Sequence, residues 1–201
     1  MNQQQLDNKY QIFCDLDGVL VDLIKGVENA IYTDPIGDVS DRYRQAQEKA
    51  RQELKGKPLD ESQLNKKHEN FSKPLRDFMF RIMNGDRHFW MNLPWTKDGK
   101  ELWYFIKEYN PIILSKPTDL QSVIGKKVWV KRNLDLNKER VQIRKDKTPY
   151  AQHNGKIGLL IDDYRKNIVA FGENGGATIH YKDVNEAIAT LKEFGFSANT
   201  H

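Results

Sequence analysis

"QIFCDLDGVLVD", residues 11–22, joins an apolar run to two closely spaced carboxylates. Residues 10–14 read as a buried strand; Asp15 ends it and Asp17 follows two positions later. Like charges that close cost free energy unless something positive joins them. A second stretch, "KIGLLID" at 156–162, is a continuous apolar run of the kind buried on both sheet faces, and it ends at Asp162 and Asp163. "NPIILS" (110–115), "RVQIRK" (140–145) and "ATIHY" (177–181) read as further short strands. Helical patterns lie between them at 21–32, 99–109, 118–134, 164–176 and 183–195, with Thr118 as an N-cap candidate. Strands alternating with helices predict an α/β fold with a parallel central sheet covered on both faces.

Composition narrows the class. The chain has 201 residues, 38% hydrophobic and 30% charged, which suits a globular protein with one core domain and an insertion. No run approaches the roughly 18 apolar residues of a membrane helix, so no membrane partner is expected. The start, "MNQQQLDNKY", lacks a signal-peptide pattern, and the single cysteine, Cys14, excludes an internal disulfide framework. Both readings point to a cytoplasmic location. Cys14 reads as a small buried hydrophobe. The net charge of +4 is spread widely, which permits an anionic substrate and disfavours a dedicated nucleic-acid arm. His68, His88, His153, His180 and His201 show no metal-ligand spacing. Residues 34–74 are rich in Gln, Glu, Lys and Arg and read as exposed helix broken near "GKP" and "SKP"; "LRDFMFRIM" (75–83) then reads as packing inward.

In an open parallel sheet, ligands bind beyond the carboxyl ends of the strands. Those ends carry Asp15 and Asp17, Ser115, Asp146 and Lys147, and Asp162 and Asp163. Carboxylates gathered with a hydroxyl and an ammonium suit a hard cation such as Mg2+ beside a phosphate. Each residue alone has a plainer reading, as a cap, a loop or a solvated side chain. The ordered set, each member after its own strand, carries the weight.

On "DLDGVLVD" (15–22), "ILS" (113–115), Lys147 in "RKDKT" and "LLIDD" (159–163), the sequence resembles the haloacid dehalogenase superfamily of phosphotransferases. Within it, "HFWMNLPW", "SKPT", "KKVWVKRNL" and "LLIDDYRKNI" resemble the 5'(3')-deoxyribonucleotidase group. It departs from that group at Leu23, at Lys116 and in the length of "PYAQHNGK". The resemblance implies a Rossmann-like three-layer sandwich, residues 1–20 and 97–201, with an inserted helical cap at 21–96. It implies a Mg2+-dependent phosphomonoester hydrolase, most similar to nucleoside monophosphate phosphatases. Asp15 would be the nucleophile, Asp17 the general acid and base, and Ser115 and Lys147 the ligands of the phosphoryl group. Lys131 rivals Lys147 for that place. The metal would be held by Asp15, Asp17 through its carbonyl, Asp162 and Asp163. Phe89, Trp90, Trp95 and Lys116 would line the substrate pocket; the alternative for the aromatics is ordinary packing. A polynucleotide 3'-end phosphatase, a sugar-phosphate phosphatase and a non-enzymatic binding module are the rival functions. The assembly is expected to be a monomer or homodimer.

Overall fold

A computed structural model describes residues 3–33, 37–53 and 73–197. It divides into two units. One comprises Met1–Asp22, Pro94–Pro117 and Lys127–His201; the other comprises Leu23–Leu93 and Thr118–Lys126.

The first unit is built on a six-stranded sheet. Its strands are β1 (Tyr10–Cys14), β2 (Ile112–Ser115), β3 (Val141–Ile143), β4 (Gln152–His153), β5 (Lys156–Asp162) and β6 (Ala177–His180). The order is β3-β2-β1-β5, with β4 and β6 both on the far side of β5. All pairings are parallel except β4 with β5. β6 covers the later half of β5, from Leu159↔Ala177 to Asp162↔His180. β4 covers the earlier half, through Gln152↔Ile157. The central strands are apolar because they are buried on both faces: Phe13, Leu114 and Leu160 pack with Ala151 and Phe171 in one core cluster.

Helix α1 (Gln3–Lys9) leads into β1. The second unit holds α2 (Leu23–Tyr32), α3 (Asp38–Glu53), α4 (Lys73–Met83) and α5 (Arg87–Met91). The chain then forms α6 (Gly99–Ile106), α7 (Leu120–Leu134), α8 (Arg165–Glu173) and α9 (Val184–Glu193). Among the described residues no helix is long and apolar enough to cross a membrane.

Several local expectations need correction. Thr118 does not cap α7. The Asp119 carboxylate does, accepting from Ser122 N at 2.7 Å, and the helix begins at Leu120. "PYAQHNGK", long for the nucleotidase group, is ordered. It folds into a 3-10 turn (Thr148–Tyr150) and a tight hairpin onto β5. Asn154 and Gly155 both take positive φ, 51° and 76°, as a two-residue turn between twisted strands requires. α5 had no counterpart in the sequence reading; a five-residue helix is too short to show a period. α4 buries Phe78, Met79 and Met83, as the inward reading of 75–83 requires. The break at "GKP", His68 and His201 lie outside the described residues.

Candidate active site

Because β1, β2, β3 and β5 run parallel, their carboxyl ends meet along one sheet edge. Cys14 is level with Ile161, so Asp15 and Asp162 come side by side, and Asp15 N donates to Ile161 O at 2.9 Å. Ser115, fully buried, ends β2 on the other flank of β1, and its carbonyl accepts from Arg144 N at 2.8 Å. After Asp15 the chain closes a tight loop, with Leu20 N and Val21 N both donating to Leu16 O at 2.9 Å. Leu16, Val19, Leu20 and Val21 are all fully buried, which explains the apolar letters around the two aspartates. Gly18 has φ +73°, and a Cβ there would collide with the Asp163 carboxylate. Glycine is needed twice over, for the left-handed backbone and for the close approach.

Lys147 enters from the segment after β3. The Asp146 carboxylate accepts from Thr148 N and Thr148 Oγ1, both at 2.9 Å, and this turn fixes the loop that carries Lys147. Lys147 Nζ donates to Asp162 Oδ2 at 2.6 Å and lies 3.0 Å from Asp15 Oδ1. Its side chain is 2% exposed, against 9% for Asp15 and 0% for Asp162. A buried ammonium is thus the positive group that joins the like charges. Lys131 pairs at the surface with Asp135 at 2.5 Å.

Asp162 accepts three hydrogen bonds in all. Oδ1 takes Tyr164 N at 2.7 Å; Oδ2 takes Lys147 and also Asn167 Nδ2 at 2.8 Å. The carboxylates of Asp15, Asp162 and Asp163 lie within 4.8 Å of one another and can hold a metal ion. The Asp17 carboxylate is not in that cluster. Asp17 is half-buried and its backbone pairs with Val21.

The cluster's excess negative charge is visible in its proton affinities. Burial and the Asp15 charge push Asp162 up, and they outweigh Lys147 and the Tyr164 N–H. Burial pulls Lys147 down, but Asp15 and Asp162 overcome it and the ammonium is held above its ordinary value. Three carboxylates against one ammonium leave charge that a hard cation would offset, so the donor set fits a metal ion of that class. Cys14 is fully buried, and burial followed by the Asp15 charge pushes its thiol well up, as an inert core residue requires.

The expected pocket residues have their own local surroundings in each unit. Trp90 is 1% exposed; its Nε1–H donates to Met83 O at 2.9 Å, and Lys126 Nζ lies over its ring at 4.7 Å. Phe89 meets it edge-on, with ring centroids 5.4 Å apart. Trp90 is therefore enclosed by its neighbours. Trp95 is half-buried, against Trp129 at 4.8 Å between centroids. Lys116 is exposed and its charge helps, after the Thr148 hydrogen bonds, to lower Asp146.

Asn167 escaped the sequence reading. It is buried at 7%, in the first turn of α8 and on the same face as buried Phe171 four residues on. A polar residue on an apolar stripe was the available signal. His180 Nε2 lies 3.0 Å from the Asp163 carbonyl.

No family model and no curated protein matches the chain. Solved structures do. A hydrolase from Streptococcus pneumoniae TIGR4 is 13% identical over 92% of this chain and 99% of its own, with a TM-score of 0.53. An L-2-haloacid dehalogenase from Xanthobacter autotrophicus is 13% identical over 96% of this chain and 84% of its own, with a TM-score of 0.47. The first likeness is one of fold: the chain has the Rossmann-like α/β architecture of that hydrolase.

Proposed function

We infer that this protein is a hydrolase of the haloacid dehalogenase superfamily that cleaves a small organic phosphomonoester through a phosphorylated Asp15. The observation that carries the reading is the Lys147 ammonium, buried against Asp15 and Asp162 at the carboxyl ends of parallel strands. Asp15 attacks phosphorus, and the bond to the leaving oxygen breaks as Asp17, protonated, gives that oxygen its proton. Asp17, now a carboxylate, takes a proton from water, which attacks the phosphorus of the aspartyl phosphate. Inorganic phosphate leaves, Asp15 is restored and Asp17 is reprotonated. Lys147 offsets charge on the phosphoryl oxygens, and the Ser115 hydroxyl donates to one of them.

Mg2+ would be held by Asp15, Asp163 and the Asp17 carbonyl, with Asp162 behind them, and it would supply charge neutralisation at the phosphoryl group. Asp162 takes the outer place in this reading because its oxygens already accept three hydrogen bonds. The helical unit would serve as the cap that selects the leaving group. A nucleoside monophosphate is the first candidate, on the strength of the sequence resemblance. The enclosed Trp90 lends it no support.

A panel of phosphate esters, assayed with Mg2+ and again with excess chelator, tests the reading. Turnover of at least one mononucleotide or sugar phosphate, lost with chelator, is expected. Activity only on 2-haloacids, indifferent to chelator, would replace phosphoryl transfer with dehalogenation.

A further inference from the structure

We propose that Asn167 is a positioning residue that sets the Asp162 carboxylate and, through it, the Lys147 ammonium against Asp15. The proposal rests on the phosphoryl-transfer reading above, and it concerns how the lysine is placed rather than what is transferred.

Three donors converge on Asp162, two from the start of α8 and one from the segment after β3. Tyr164 N binds Oδ1 at 2.7 Å, just before α8. Lys147 Nζ and Asn167 Nδ2 share Oδ2, at 2.6 and 2.8 Å. The backbone donor holds one oxygen and so leaves the carboxylate able to turn about that anchor. Asn167 removes that freedom by holding the second oxygen from the helix side. The oxygen is then fixed where Lys147 must meet it, and the ammonium comes to rest 3.0 Å from Asp15. The contact is a short one among buried side chains, where a charge-assisted hydrogen bond has most effect.

Asn167 is itself firmly set. Its backbone N–H donates to Tyr164 O at 2.9 Å in the first turn of α8, and its side chain is buried. An amide is suited to the task because it donates without adding charge to a cluster that already holds three carboxylates. An aspartate of the same shape would add a fourth charge 2.8 Å from Asp162.

Asn167→Leu keeps the branching of the side chain, adds some bulk and removes the donor. Asn167→Asp keeps the shape, removes the donor and adds charge, and it serves should the leucine variant fail to fold. Two readouts apply to each. With the best ester from the panel, kcat should fall on the order of 10- to 100-fold, as when an outer hydrogen-bond partner of an active-site ligand is removed, with KM within about twofold of the parent. Independently of activity, acylation of lysines by an amine-reactive reagent, mapped by mass spectrometry, should show Lys147 protected in the parent and labelled in the folded variants. Unchanged protection of Lys147 together with parental kcat would overturn the proposal. So would an aspartate variant equal to the parent, which would make Asn167 a packing residue. If no phosphate ester is turned over by the parent, the functional reading fails while the labelling still decides the placement of Lys147.

Discussion

Lys147 Nζ stands 2.6 Å from Asp162 Oδ2, with both side chains out of water. A pair so placed has given up its hydration, and its members depend on each other. Lys147→Met therefore strands two buried carboxylates. It should lower unfolding free energy by about 3–5 kcal/mol, read by urea denaturation. Lys147→Met with Asp162→Asn should recover part of that loss, because one orphaned charge is gone. A single mutant as stable as the parent would mean that the lysine is not the counter-ion the geometry implies.

Gly18→Ala should be costly for two separable reasons. The left-handed backbone at φ +73° costs an alanine about 1–2 kcal/mol. The new Cβ also displaces the Asp163 carboxylate. Stability should fall modestly, while affinity for Mg2+, read by calorimetry, should fall sharply. Gly155→Ala offers a control, since it shares a positive φ of 76° but meets nothing within 4 Å. Equal Mg2+ affinity in the two variants would remove Asp163 from the metal site.

Tyr181 provides a pH signature. Burial first, then the nearby charge of Asp98, pushes its phenol up to about 12. Below pH 10 the folded and unfolded chains both hold this proton. Between pH 10 and 12 the folded state binds more protons than the unfolded, so stability falls as pH rises. Urea unfolding at pH 9 and pH 11 should show a steeper loss in the parent than in Tyr181→Phe. Parallel losses would mean that Tyr181 titrates alike in both states.

Much of this was legible in the sequence, and the reasons differ by element. Residues 12–14 and 157–161 declared themselves as strand interiors because burial on both faces leaves a run without charged or polar side chains. Asp15, Asp162 and Lys147 were singled out by their position after strands, but their mutual contact depends on strand order, which periodicity does not carry. Asp119 capped in place of Thr118 because its carboxylate reaches both Ser122 N and Gly85 N, the latter 34 residues away. The enclosure of Trp90 was not legible, because an aromatic letter does not reveal how its faces are covered. Asn167 was passed over because asparagine in a first helical turn is ordinary, and only the approach of β5 gives it Asp162.

The central claim is that Asp15 is phosphorylated during turnover. The most direct measurement is borohydride trapping of the enzyme during steady-state hydrolysis of its best phosphate ester, followed by peptide mass spectrometry. An acyl phosphate is reduced to the alcohol, so residue 15 should be recovered as homoserine, with substrate and Mg2+ present and not without them. Asp15→Asn should give no trapped product and no turnover while folding normally. Sustained hydrolysis with no reduction at residue 15, or trapping at a different carboxylate, would contradict the account.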